Sequence, residues 1–223
     1  MFNAIVMGQR ERSILVKPYN LLVTGVGGQG TVVASDILAA VGLAAGYDVK
    51  KSDVLGLAVR GGAVVSHVRW ADTVHSPIVP EGKVDILLAF ELLEGLRWLD
   101  WVNPEGAILI NDQRIFPVVV SSGVSGYPSD EEVSAALLRA TNHAYKVPGL
   151  DIAQGLGNSR VLNVALLGAM SGLIEIDPQL WVDVIKQRVP AKALELNVKA
   201  FWQGREALAA ARLADQAVER VTA

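Results

Sequence analysis

Gly25, Gly27 and Gly30 stand at G-x-G-x-x-G spacing in "NLLVTGVGGQGTVVASDILAAVGLAAG", with Gly28 and Gln29 between the last two. Such a loop lets backbone come close to a phosphate, and the helix after it offers free N–H groups and a partial positive charge. The residues suit an anion. Three occupants are open: an NAD or FAD dinucleotide, another anion, or none, the glycines then serving only a tight strand-to-helix turn. A dinucleotide also requires an acid at the end of the second strand to hold the ribose hydroxyls. Asp53 lies near the expected position, but Lys50 and Lys51 come before it.

A second constellation follows in "LGLAVRGGAVVSHVRW". Arg60 beside Gly61 and Gly62 combines a sharp chain reversal with a fork of donors suited to carboxylate or phosphate. A solvated surface arginine on a turn is the plainer reading. His67 falls within an apolar strand, where a satisfied core histidine is expected. His75 and His143 are isolated, and no cluster at ligand spacing points to a metal. Glu91 falls where "VDILLAF" meets the next helix, the edge of an α/β sheet where ligands bind, although an acid there also suits the helix dipole. In "GLGNSRVLNVALLG", Asn158 reads as an N-cap, while Arg160 and Asn163, three apart, share a helix face toward a partner chain or a phosphate.

The elements that must position these residues alternate. "NLLVTGV" reads as a strand and "GTVVASDILAAVGLAAG" as a helix with Gly46 at its C-terminal end. "YDVKKSDV" and "GAVVSHVRW" read as strands, and the apolar "VDILLAF" as a strand buried on both faces. "ELLEGLRWLDWV" is helical in period, "NPEG" a turn, and "AILIND" another buried strand. Ser129 and Glu132 form a capping box at a helix start, "HAYKVPGLDIA" reads as the last strand, and Asp177 with Pro178 opens a further helix. The alanine-rich tail is helical with an interruption at Gly204. The pattern predicts an α/β protein: a three-layer Rossmann-like domain with a mainly parallel sheet and a C-terminal helical extension. Residues 1–18 form an N-terminal arm, 19–190 the domain and 191–223 the extension.

Composition narrows the function. The 223 residues are 51% hydrophobic, enough for a substantial core, and a formal net charge of −3 without a basic cluster argues against nucleic acid. The chain has no cysteine, which excludes disulfides, zinc ribbons and thiolate-held iron–sulfur clusters. No membrane span or leader is recognisable, so a cytoplasmic location is expected.

Taken together, "GVGGQG" (25–30), "RGGAVVSHVR" (60–69), "SPIVPEGKVDILLAFELLEGLR" (76–97), "GNSRVLNVALLGA" (157–169) and "NVKAFWQG" (197–204) resemble the gamma-type domain of the thiamine diphosphate-dependent 2-oxoacid:ferredoxin oxidoreductases. Within that family they are most similar to the small, beta-type subunits that act on indolepyruvate. "GLAVRGG" departs from the Gly-Met-x-Gln-Arg-Gly-Gly loop often found there. The resemblance implies a heteromer in which a large partner subunit holds thiamine diphosphate and [4Fe-4S] clusters. That assembly decarboxylates an arylpyruvate oxidatively, passes electrons to ferredoxin and the acyl group to coenzyme A. This chain then holds no cofactor and supplies no catalytic residue. It is inactive alone, and Gly25, Gly27, Gly28, Gln29, Gly30, Arg60, Gly61, Gly62, Glu91, Asn158, Arg160 and Asn163 are candidates for facing coenzyme A or the partner's site. Competing readings are a stand-alone NAD(P)-dependent oxidoreductase, an adenylating enzyme of the ubiquitin-activating type, and a purely architectural subunit.

Overall fold

The computed structural model describes residues 17–56, 61–123 and 126–222, the side chains of 118, 119 and 214–222 excepted. In chain order the elements are β1 (Tyr19–Val26), α1 (Thr31–Ala44), β2 (Asp48–Leu55), β3 (Ala63–Ala71), β4 (Val84–Ala89), α2 (Leu92–Leu96), β5 (Val102–Asn111), α3 (Val118–Ser121), α4 (Asp130–Ala140), β6 (His143–Val147), α5 (Gly149–Gly155), α6 (Leu162–Ser171), α7 (Pro178–Arg188) and α8 (Leu194–Thr222). The strands form one sheet in the order β2-β3-β1-β4-β5-β6. The pairings β1–β4, β4–β5 and β5–β6 are parallel, and β3 runs antiparallel to both of its neighbours, β1 and β2. The expected mainly parallel α/β sheet is therefore present, with one reversed strand.

Period-two alternation distributes the apolar side chains to two cores. Leu21, Val23, Leu88 and Leu109 enter the core shared with Ile37, Leu38 and Val41 of α1, Leu166 of α6, Trp181 of α7 and Phe201 of α8. Leu22, Leu87, Ile108 and Ile110 enter the opposite core, closed by Leu92 of α2 and by Val133 and Leu137 of α4. Helix α1 thus lies on one face and α2 on the other. The crossover after β1 and the crossover after β4 diverge, which makes the gap between those strands the topological switch point of the sheet.

Local signals are realised where they are self-contained. Ser129 Oγ accepts from the Glu132 N–H at 3.2 Å while Glu132 Oε2 accepts from the Ser129 N–H at 2.8 Å, the reciprocal capping box. Asp177 caps α7 by accepting from the Gln179 N–H, with Pro178 at the first helical position.

Four local expectations change. "HAYKVPGLDIA" is not one strand: β6 ends at Val147, and Pro148 is the N-cap of α5. The ring of Pro148 removes a ladder donor, and the Leu150 N–H instead donates to Asn111 Oδ1 at 3.3 Å. "ELLEGLRWLDWV" forms only the short α2 followed by a 3₁₀ turn over Leu99–Trp101. "NPEG" lies within β5 as an irregularity: Val84 pairs with Val102 and Ile86 already with Ala107, so residues 103–106 are set off from the ladder. Finally, α8 runs through Gly204 without a break. A Cβ at Gly204 would stand 1.8 Å from the Ala165 carbonyl oxygen, and one at Gly168 would stand 1.9 Å from that of Phe201. These glycines let α6 and α8 touch backbone to backbone. Helix α8 also buries Ala200, Phe201 and Leu208 in the main core.

Candidate functional site at the glycine loop

The two glycine-bearing segments meet. The Gly27 N–H donates to the Gly62 carbonyl at 2.8 Å, and the Gly61 N–H donates to the Gly27 carbonyl at 3.2 Å. Their approach follows from register: β1 and β3 are antiparallel with Val26 opposite Ala63, so the residue after β1 faces the residue before β3. Gly28, Gly30 and Gly61 have φ of 106°, 88° and 78°, values that L side chains rarely adopt. Gly25 is required for a different reason, since a Cβ there would lie 2.7 Å from Phe90 Cβ. Arg60 lies outside the described residues.

Helix α1 begins at this loop with Gly30 as its N-cap, without a side-chain cap and without an acid in its first turn. Its leading N–H groups and the positive end of its dipole are uncompensated by the helix itself. They face a cleft of about 360 Å³ lined by Gly27, Gly28, Gly30, Val33, Leu55 and Val64 among others. Thr31, also on the cleft lining, is 3% exposed and its Oγ1 has no hydrogen-bond partner. Val33 and Leu55 give the mouth an apolar rim, 50% and 61% exposed. The cleft can therefore take an anion on the helix end together with an apolar stem.

Gln29 does not project into this cleft. Its Oε1 accepts from the Val26 N–H at 2.7 Å, and its Nε2 donates to the Phe90 carbonyl and to Gln113 Oε1, each at 3.0 Å. The side chain thus crosses the carboxyl ends of β1 and β4, at the switch point of the sheet. Asp53 is also engaged. It accepts from Ser66 Oγ at 2.6 Å and pairs with Lys51 at 2.9 Å, on edge strand β2, which β3 separates from β1.

Glu91 is 1% exposed. It caps α2 by accepting from the Glu94 N–H at 2.8 Å, while its other oxygen accepts from the Ile115 N–H at 3.0 Å and from the Tyr127 hydroxyl at 2.5 Å. Burial, and then this bond to a carboxylate, push the Tyr127 hydroxyl far above its usual range. Glu91 thus ties down the segment after β5. Asn158 caps a 3₁₀ turn by accepting from the Arg160 N–H at 3.0 Å. Arg160 is exposed, whereas Asn163 is 8% exposed, so the pair does not share one accessible face. Asn163 instead packs under the loop, its Nδ2 lying 3.3 Å from where a Cβ on Gly30 would be. His67 is the expected core histidine: buried, with Nδ1 accepting from the Val79 N–H at 3.3 Å and its ring near Trp98 and Trp101.

The structure therefore gathers Gly25, Gly27, Gly28, Gln29, Gly30, Gly61, Gly62 and Asn163 at one sheet edge. Glu91 stands behind them, past Phe90, and Arg160 lies on the surface. Sequence reasoning missed Gln113 and Asn111, which complete the amide cluster around Gln29. No motif marks them, and only the parallel pairing of β4 with β5 brings them there.

The chain is also similar to known proteins. Residues 20–207 match the family model described as "Pyruvate ferredoxin/flavodoxin oxidoreductase". The chain is 37% identical over 195 residues to "Indolepyruvate oxidoreductase subunit IorB" of Pyrococcus horikoshii, covering 86% of this chain and 96% of that one. Among solved structures, a keto/oxoacid ferredoxin oxidoreductase gamma subunit from Geobacter sulfurreducens has TM-score 0.64 at 24% identity, over 86% of this chain and 99% of that one. The 2-oxoglutarate:ferredoxin oxidoreductase of Magnetococcus marinus, with 2-oxoglutarate, coenzyme A and succinyl-CoA bound, has TM-score 0.69 at 22% identity, over 87% of this chain and 32% of that one. The last two likenesses are of fold.

Proposed function

Given that the chain belongs to the pyruvate ferredoxin/flavodoxin oxidoreductase family, we propose that it is the small subunit of a heteromeric indolepyruvate-type oxidoreductase and presents the glycine cleft to coenzyme A. The substrate class follows the relative at 37% identity, itself named for indolepyruvate. Thiamine diphosphate and [4Fe-4S] clusters are assigned to the large partner subunit. A chain without cysteine has no thiolate for a cluster, and among the described residues no group of three or more His, Asp or Glu could hold a metal.

One observation carries the coenzyme A reading. The hydrogen-bonded pair of glycine turns opens the uncapped end of α1 onto a cleft that has an apolar rim. Coenzyme A joins phosphates to a long pantetheine arm with short apolar stretches between its two amides, and this surface offers a place for each. Backbone N–H groups and the helix dipole bind the phosphate, and Arg60, next to Gly61 in the sequence, is the candidate further donor. Val33 and Leu55, on the cleft lining, are then the residues expected to flank the arm. The reaction's bond changes then belong to the partner, ferredoxin receives electrons from it, and this chain positions the acyl acceptor. A stand-alone NAD(P) enzyme fits less well, because Gln29 is bonded across the switch point and Asp53, the acid a dinucleotide would need, is engaged by Ser66 and Lys51.

Expressing the chain alone and with its large partner tests the assignment. The proposal expects no indolepyruvate oxidation by the isolated chain and coenzyme A-dependent reduction of ferredoxin by the reconstituted complex. Turnover by the isolated chain with NAD(P) would overturn it.

A further inference from the structure

Gln113 belongs to none of the motifs, yet it completes a square of amides beneath the glycine loop. Two donors, Gln29 Nε2 and Asn111 Nδ2, share two acceptors. Each reaches the Phe90 carbonyl, at 3.0 and 2.9 Å, and each reaches Gln113 Oε1, at 3.0 and 3.2 Å. The backbone of Gln113 is itself fixed, its N–H donating to the Asn111 carbonyl at 2.7 Å and its carbonyl accepting from the Leu92 N–H at 3.0 Å. Gln113 is thus a rigid acceptor at the carboxyl end of β5, aimed across β4 at the loop that follows β1.

The loop needs such support. A Cβ on Gly28 would meet nothing within 4 Å, so the loop is open above Gly28, while Gly27 is held by two backbone bonds to the Gly61–Gly62 turn. From below the loop is held by Gln29, whose Oε1 accepts from the Val26 N–H while its Nε2 donates to the Phe90 carbonyl and to Gln113 Oε1. We propose that Gln113 is a positioning residue for the ligand-receiving conformation of the glycine loop, acting through Gln29. The inference rests on the reading of this loop as the coenzyme A surface. A preorganised loop binds its ligand without first being ordered, so loss of the acceptor is expected in the affinity for coenzyme A rather than in the turnover of bound substrate.

The test uses the complex reconstituted with its large partner. Gln113→Met is near in size and withdraws the acceptor, whereas Gln113→Glu keeps an oxygen for both donors. Gln113→Met is expected to raise KM for coenzyme A about tenfold, with kcat and KM for the 2-oxoacid changed less than about twofold, and Gln113→Glu to restore most of it. In combination with Gln29→Met the two effects are expected not to multiply, as for residues acting through one contact. Should Gln113→Met not fold, Gln113→Asn withdraws the same oxygen by one methylene and is read in the same way. An unchanged KM for coenzyme A in Gln113→Met, or effects that multiply in the double variant, overturns the proposal. Arg60→Ala separates the two ideas. If it raises KM for coenzyme A while the Gln113 variants do not, only the positioning role falls. If none of these variants moves that KM, the coenzyme A reading falls as well.

Discussion

Gly27 and Gly62 are joined across the mouth of the sheet, the N–H of the first donating to the carbonyl of the second at 2.8 Å. This bond converts two separate glycine turns into one surface. Gly61 returns a bond to Gly27 at 3.2 Å from a backbone with φ of 78°, and a Cβ on it would meet nothing within 4 Å. Gly61→Ala therefore tests backbone conformation without a steric clash. The strain is about 1–2 kcal/mol, and we expect a modest fall in Tm together with a rise of about threefold in KM for coenzyme A in the complex. A fall in Tm with no change in that KM would separate the turn from the ligand.

The contact of α6 with α8 predicts a larger effect on stability. Alanine is favoured over glycine within a helix by about 1 kcal/mol, so on propensity alone Gly168→Ala and Gly204→Ala would stabilise. Overlap reverses the sign. The added methyl groups would stand 1.9 and 1.8 Å from carbonyl oxygens of the facing helix, and the helices must separate. Each substitution is expected to cost about 3 kcal/mol or more in denaturant unfolding. Retained stability in either variant would show that the helices do not meet at these residues.

Gly204 also shows why part of the fold was legible in the sequence and part was not. The capping box at Ser129 and Glu132 and the Asp177–Pro178 helix start involve neighbours three residues apart or fewer, so spacing alone specifies them. Gly204 reads as a break by propensity, but its reason lies in Ala165, on another helix. Likewise Pro148 turns a strand into a helix start with help from Asn111, 39 residues from Leu150. At the site, the glycine spacing was visible. The role of Gln29 was not, because its partners Phe90 and Gln113 lie 61 and 84 residues away.

Tyr127 predicts the worth of the latch on the segment after β5. Its hydroxyl donates to Glu91 at 2.5 Å and accepts from the Leu93 N–H at 3.1 Å. Tyr127→Phe leaves both groups short of a partner in a part-buried setting. A loss of about 1–2 kcal/mol is expected by denaturant unfolding. Faster amide exchange at Leu93 and Ile115 is expected with it, and unchanged exchange at both amides would contradict the latch.

His67 sets a pH dependence. Burial lowers its folded pKa below the ordinary 6.5. In the window between the two values the unfolded chain binds more protons than the folded one. The stability contributed by the neutral ring is therefore fully present above 6.5 and is lost as pH falls through the lowered folded value. Tm is expected to fall as pH drops below the ordinary 6.5 toward the lowered folded value, and by less in His67→Gln, which cannot titrate there. An equal acid-side fall in the two proteins would assign the loss to other groups.

The most direct test of the coenzyme A surface is hydrogen–deuterium exchange of the assembled complex with and without coenzyme A, read peptide by peptide on this chain. The account predicts slower exchange over residues 25–34 and 61–64 when coenzyme A is present, with the edge at β6 unchanged. Unaltered exchange in those two segments at saturating coenzyme A would contradict it.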